Sequence, residues 1–334
     1  MRAIALLSGG LDSTLATRIV LEQGVELEAL NFLTLFCNCT HRGETCLASK
    51  KAVEGLGIPL TVFNVSEEYL EVVKHPKHGY GRNVNPCIDC RIFMLRKTKA
   101  YMETSGASFI ITGEVLGQRP MSQRRDAMNL IEKEAGLEGF IVRPLSAKFL
   151  PATIPEERGW VDRERFLNIS GRSRKPQIKM AKQFGIHDYP CPAGGCLLTD
   201  PGFARRMRDL MAHRPDFSLN EVHLLKIGRH FRLSPSIKLV VGRHEDDNQK
   251  IQAFAQDGDL LMKALSSPGP LSLLRGGSGA EEIAKAAAIT VRYGKAKDLK
   301  SVEVEYRRMG EDVDRSLWIS PVSEGEIREW RIGE

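Results

Sequence analysis

Nowhere in the 334-residue chain does an apolar run approach the roughly 20 residues needed to cross a bilayer, so no membrane-spanning helix is expected. The first residues lack a basic stretch followed by a cleavable apolar one, and no secretory signal is expected. No Gly-Lys-Ser/Thr follows the Gly9-Gly10 turn, which excludes the Walker cradle that hands on a terminal phosphate. No internal repeat and no low-complexity tract is found. Cysteine is scarce and odd in number, seven in all. With no export signal, these are expected to be reduced cytoplasmic thiols, metal ligands or redox groups rather than disulfides. A chain of this length and ordinary soluble composition suits two domains.

What is present begins at the first strand. The apolar run Ala3–Leu7 leads into Ser8-Gly9-Gly10-Leu11-Asp12-Ser13 and then an apolar-periodic stretch to about Gln23. This reads as strand, glycine loop, helix. Two glycines let backbone N–H groups close around an anion, and the helix start adds partial positive charge. In the plainest alternative, Asp12 or Ser13 merely caps the helix, which needs no preceding Ser-Gly-Gly. The string SGG-x-DS resembles the PP-loop of the N-type ATP pyrophosphatases, which split ATP into AMP and pyrophosphate to adenylate a substrate.

Residues 1–115 alternate as in a doubly wound parallel α/β sheet. Strands are predicted at Ala3–Leu7, Leu27–Leu33, Leu60–Val65 and Phe109–Thr112, and helices at Ser13–Gln23, Thr45–Leu56, Glu67–Val73 and Cys90–Thr104. Ligands of such sheets sit beyond the carboxyl ends of the strands. Ser8, the Asn31–Phe36 segment and Thr112-Gly113-Glu114 all fall there. Residues 116–200, punctuated by Pro and Gly, predict long functional loops rather than more sheet. A smaller α+β domain is predicted beyond, with strands at Ile237–Val241 and Val302–Arg307. The boundary is placed at 205/206.

Cys87 and Cys90 lie three apart at a helix start, which clamps a metal or lowers thiol pKa through the helix dipole. Cys191 and Cys196 bracket a flexible turn. Three thiolates from these would hold an iron–sulfur cluster with one iron free for sulfide or substrate. A structural four-cysteine zinc site competes for the same thiols. Cys37, Cys39 and Cys46 extend the site, bind zinc separately or simply pack.

Charge is unevenly spread. From Arg119 to Arg208 there are 17 Lys/Arg against 10 Asp/Glu, more than the whole chain's surplus of six. Arginine-weighted clusters, Arg124-Arg125 and Arg172, Arg174 and Lys175 among them, suit phosphate forks and predict a polyanionic partner; a solvated helix face is the plain alternative for any one cluster.

SGGLDS, NPCIDCR, TGEVLGQ (Thr112–Gln118) and PAGGCLLTD (Pro192–Asp200) together resemble the tRNA thiouridine synthetases of the PP-loop class, over about residues 1–205. The rest more weakly resembles an NFACT-R RNA-associated domain, through Val241–Asn248 and Ala286–Lys297. Because the PP-loop begins at residue 8, the N-terminal ferredoxin-like and THUMP domains of the 4-thiouridine enzymes are not expected here.

The resemblance implies a reaction and its residues. ATP sits with its phosphates on Ser8, Gly9, Gly10, Leu11, Asp12 and Ser13, with Mg2+ on Asp12 and adenine near Asn31. Thr112, Gly113, Glu114 and Gln118 close the site. A tRNA uridine oxygen is adenylated, pyrophosphate leaves, and sulfur displaces AMP. That sulfur rides on a [4Fe–4S] cluster held by Cys87, Cys90 and Cys196, the last chosen over Cys191 by resemblance, or on a cysteine persulfide. Arg124, Arg125, Arg172, Arg174 and Lys175 are expected on tRNA phosphates. The sulfur donor and oligomeric state stay open. The competing readings are a PP-loop enzyme of a small molecule, which the arginine surplus disfavours, and a non-catalytic RNA-binding protein.

Overall fold

The computed structural model describes residues 1–37, 46–187, 189, 196–277 and 279–333, without the side chains of Cys46 and Leu47. It comprises two compact units, Met1–Thr199 and Asp200–Glu334. The division precedes the expected 205/206 boundary for a local reason. Asp200 caps helix Pro201–His213 by accepting from the Phe203 amide at 2.7 Å, so a cut at 205 would break a capped helix.

The first unit is built on a parallel sheet of order β3-β2-β1-β4-β5. Its strands are β1 (Arg2–Leu6), β2 (Glu26–Leu33), β3 (Leu60–Asn64), β4 (Phe109–Thr112) and β5 (Ile141–Val142). Ala3, Ile4 and Ala5 are wholly buried, the continuous burial expected of a parallel strand covered on both faces. Helix α1 (Leu11–Leu21) and α2 (Cys46–Leu56) bury Leu15, Ala16, Val20, Val53 and Leu56 in one core with Phe109 and Ile111. Helices α4 (Cys87–Ser105) and α5 (Arg125–Ala135) bury Ile92, Leu95, Ile131 and Ala135 in a second, with Ile110 and Ile141. Helix α3 (Ser66–Lys74) follows β3. The doubly wound α/β class is as expected.

The 116–200 stretch differs from its expectation. It holds α5, β5, the short α6 (Ile154–Glu157) and α7 (Lys175–Gln183). Helix α5 buries Ala127, Met128, Ile131 and Ala135, a helical stripe, and stops at Gly136 in the left-handed region. Tertiary packing, not Pro/Gly punctuation, decides this segment.

The second unit is a seven-stranded antiparallel sheet, order β11-β10-β8-β9-β7-β6-β12. The strands are β6 (Arg229–Ser234), β7 (Ile237–Val241), β8 (Leu260–Ala264), β9 (Ser272–Arg275), β10 (Val302–Arg308), β11 (Asp314–Ile319) and β12 (Arg331–Ile332). Helices α8 (Pro201–His213), α9 (Leu219–Leu225), α10 (Glu245–Phe254), α11 (Ala280–Arg292) and α12 (Glu324–Trp330) complete it. Ala286, Ala287 and Ile289 of α11 pack on Leu239, Val241 and Leu274, while Leu224 and Ile251 join Val240, Leu261 and Leu273 in a separate cluster. This is the α+β domain expected. No helix among the described residues is long and apolar enough to cross a membrane.

Candidate functional site

The glycine loop lies at the carboxyl end of β1. Gly9 has φ +71°, and a Cβ there would stand 2.5 Å from the backbone of Ala48 and Ser49. Gly10 is the N-cap of α1, with no side-chain cap, so neither Asp12 nor Ser13 plays that part. Ser13 instead braces the loop. Its hydroxyl donates to the Gly10 carbonyl at 3.0 Å, accepts from the Ser8 amide at 3.3 Å and meets the Ser8 hydroxyl at 3.2 Å. Gly113 at the exit of β4 is a contact glycine rather than a turn glycine: a Cβ would meet the Ser13 nitrogen at 2.4 Å. Leu11 is buried beneath the loop.

Asp12, in the first turn of α1, is the hub of a polar chain. Its Oδ2 accepts from Gln118 Nε2 at 2.6 Å and from Arg174 Nε at 3.4 Å. Gln118 Oε1 in turn accepts from Gln177 Nε2, on the fully buried face of α7, at 3.1 Å. The Gln118 and Arg174 loops are tied together, since Gly171 N donates to the Leu116 carbonyl at 2.7 Å. Asp12 Oδ1 is buried with no hydrogen-bond partner. Such an oxygen fits a hard cation such as Mg2+ beside phosphates. Arg174 was expected on tRNA; the structure seats its guanidinium on Asp12. Arg172 and Lys175 stay exposed, as do Arg124, paired with Asp126 at 3.0 Å, and Arg125, which donates to the Phe149 carbonyl at 2.7 Å.

Two other expected nucleotide residues are committed elsewhere. Asn31 donates its amide to the Leu7 carbonyl at 2.7 Å, tying β2 to the loop's root. It also lines a cavity of about 420 Å³ with Leu33, Ser49, Val53, Leu60 and Val62. Glu114 is buried and points to Arg91 and Arg143, at 2.9 Å each, and Thr112 donates to it at 3.3 Å. Burial works to raise the Glu114 pKa, but the two guanidinia outweigh it, so the carboxyl is held below its ordinary value. Arg143 also pairs with Glu132. Glu114 is thus the hub of a buried ion network.

The cysteines meet beside these strand ends. Cys87 and Cys90 occupy the first turn of α4, which starts at Cys87, three residues earlier than expected. Residues 196–199 are zipped between two loops. Leu197 N donates to the Phe36 carbonyl at 3.0 Å, Val84 N to Leu198 at 3.3 Å, and Asn83 Nδ2 to Thr199 at 2.8 Å. Asn83 itself sits in the left-handed region, φ 61°. Cys196 Sγ lies 3.6 Å from the same Phe36 carbonyl, next to Cys37, whose sulfur meets the Thr34 hydroxyl at 3.3 Å. Cys87, Cys90 and Cys196 are free thiols. Cys39 and Cys191 lie outside the described residues, as does the Cys46 side chain.

The helix start does not activate these thiols. Burial pushes Cys87 up, with Cys90 adding to it and Arg119 opposing. Burial likewise raises Cys90 and, far above the ordinary thiol range, Cys196; in both cases neighbouring sulfurs contribute, Cys37 among them. A cluster of mutually repelling, desolvated thiols is neutral until a metal takes the protons. Among the described residues no three of these sulfurs lie within 4.8 Å of one another. A zinc ion with Zn–S bonds of about 2.3 Å needs its sulfurs about 3.8 Å apart.

A parallel sheet with a glycine loop between its first strand and the helix that follows is an arrangement that can seat an anion at the carboxyl end of the sheet. Residues 1–148 match the family described as thiamine biosynthesis protein (ThiI), and residues 228–331 match the NFACT protein RNA binding domain. The chain therefore carries the expected likeness to PP-loop tRNA-thiolation proteins followed by an RNA-binding domain. It is 27% identical over 229 residues to a tRNA-specific 2-thiouridylase MnmA of Marinobacter nauticus, covering 64% of this chain and 55% of that one. It is 31% identical over 114 residues to that of Sulfurimonas denitrificans, a third of each chain. The chain thus spans about half or less of the length of these relatives. A 4-thiouridine synthetase solved with RNA and bound ATP aligns at TM-score 0.39 and 21% identity, over 67% of this chain and 52% of that one.

Arg143, just past β5, carried no sequence signal, and Arg91 stands in the NPCIDCR string but was given no role there. Gln177 could have been suspected as a polar residue on the buried face of α7.

Proposed function

We propose that this protein is an ATP-dependent tRNA thiouridine synthetase. What supports the reading is the Ser8–Ser13 loop with its Asp12–Gln118–Arg174 chain at the exit of β1, in a sheet whose helix α4 opens with Cys87 and Cys90. ATP binds with its phosphates on the loop N–H groups and the open start of α1, and with Mg2+ on Asp12 Oδ1. The Asn31-lined cavity takes the base. Arg174 passes from Asp12 to the phosphates and offsets charge as it builds at the α-phosphate. The uracil carbonyl oxygen of tRNA attacks the α-phosphorus and pyrophosphate leaves. Sulfur then adds to the activated ring carbon, and AMP departs with the oxygen.

Cys87, Cys90 and Cys196 would hold a [4Fe–4S] cluster, which when bound supplies an iron able to carry sulfide. Cys37 adds a fourth sulfur beside them. The free thiols suit a reducing cytoplasm. The match at residues 228–331 supports RNA contact by the second unit, and Arg172, Lys175, Arg124 and Arg125 offer exposed charge for phosphates in the first. Nucleoside mass spectrometry of tRNA from cells with and without the gene tests the reaction. A thionucleoside missing from the deletion is the expected result; an unchanged profile overturns it and favours a small-molecule substrate.

A further inference from the structure

At 65% exposure, Trp318 on β11 is the most exposed large apolar side chain among the described residues. Leu317 and Ile319 on either side of it pack into the core beside Val302 and Val304, so alternation along the strand turns the indole to the opposite face. It pairs there with Glu303 of β10, whose carbonyl accepts from the Leu265 amide at 3.0 Å just past β8. Leu265 is exposed as well. The segment 293–301, which enters β10, is held at the same end of the sheet. Ser320 donates its hydroxyl to the Lys300 carbonyl at 2.7 Å, and Lys295 N donates to the Pro268 carbonyl at 3.3 Å. Lys295, Lys297, Leu299 and Lys300 are all exposed, with Asp298 the one acid among them.

Exposed apolar side chains gathered at one edge, with charge around them, mark a contact surface. The lysines suit phosphates. An indole face suits a base, and stacks on it whatever the base's identity. Glu303, which accepts from the Ser316 hydroxyl at 2.8 Å, sets a negative charge beside the ring and steers a phosphate backbone to the lysine side. A paired base inside a helix has no free face to offer. We propose that Trp318 is a stacking platform for an unpaired nucleotide of RNA, with Lys297 and Lys300 on the adjoining phosphates. The inference rests on the reading that the second unit contacts RNA, and specifies which part of the RNA it takes and where.

The test uses the full chain as wild type, as Trp318→Phe and as Trp318→Leu, which keeps apolar bulk without a flat face. Binding of a short single-stranded RNA of mixed sequence, and of a blunt RNA duplex of the same length, is followed by fluorescence anisotropy at several salt concentrations. Trp318→Leu is expected to bind the single strand about 5- to 150-fold more weakly, the loss of one base–aromatic stack. Its salt slope and its duplex binding should stay as in wild type, and Trp318→Phe should stay near wild type throughout. Single-strand affinity unchanged in Trp318→Leu, or lost equally for strand and duplex, overturns the proposal. Should that variant misfold, photocrosslinking of a 5-iodouridine strand to the wild type decides: a crosslink at Trp318 supports the platform, and crosslinks confined to other residues overturn it. Vesicles of phosphatidylserine and phosphatidylcholine are tested alongside. Vesicle binding that depends on Trp318 while RNA binding does not overturns the assignment in favour of a lipid surface. A wild type that binds neither RNA removes the RNA reading of the second unit itself, and this proposal with it, before any variant is compared.

Discussion

At the scale of single residues, the same charged side-chain types do three different things here, and only burial and partners separate them. Arg174 and Arg172 are two apart in sequence. One donates to the loop carboxylate and the other is exposed. Arg174→Ala should lower the rate of pyrophosphate release about 100-fold, the usual cost of losing one preorganised donor at developing charge, while tRNA affinity stays close to wild type. Arg172→Ala with Lys175→Ala should do the reverse, leaving release at saturating tRNA intact and cutting the salt slope of tRNA binding by roughly one per lost phosphate contact. Steady-state assays and binding at several salt concentrations separate the two. Glu114 belongs to the third kind. Glu114→Gln leaves Arg143 with Glu132 as its carboxylate partner and should cost about 1–3 kcal/mol. Because its folded pKa is held below the ordinary 4.5, the carboxylate's contribution is full above that pH and is lost as pH falls through the folded value. Denaturation of wild type and variant between pH 7 and 3 should show their difference shrinking toward the acid end.

At the scale of elements, what was legible followed a period or a spacing. The first four strands and the helices after them declared themselves as short apolar runs and periodic stretches. The glycine loop and the CxxC pair were legible because their chemistry is local. Strand β5 was not, since two residues have no period, and helix α5 was hidden, although its stripe of Ala127, Met128, Ile131 and Ala135 is intact, by the Pro and Gly around it, which read as loop. The partners of Asn31 and Glu114, the Leu7 carbonyl and the two arginines, were not legible, because the sequence places these residues at strand ends without showing what they face. The join between α1 and β4 gives the sharpest test at this scale. Gly113→Ala puts a methyl 2.4–2.5 Å from backbone of Asp12 and Ser13. No side chain can swing away there, so α1 must shift. Losses of about 1–3 kcal/mol in stability and of pyrophosphate release are expected together; a variant with wild-type melting and release would show that α1 yields freely.

For the whole molecule, two kinds of structure stand in one chain. The first unit supplies a parallel sheet whose strand exits gather loop, polar chain and sulfurs; the second supplies an antiparallel sheet matching an RNA-binding domain. The central claim is that the loop splits ATP between its α and β phosphates for the sake of an RNA oxygen. The measurement that bears on it most directly is the products formed from ATP by the purified protein, with and without bulk tRNA, alongside Asp12→Asn. Pyrophosphate and AMP in equal amounts, released faster with tRNA and slowed about 100-fold or more in the variant, is the predicted result. Formation of ADP and phosphate, or release indifferent to both tRNA and Asp12, would contradict it.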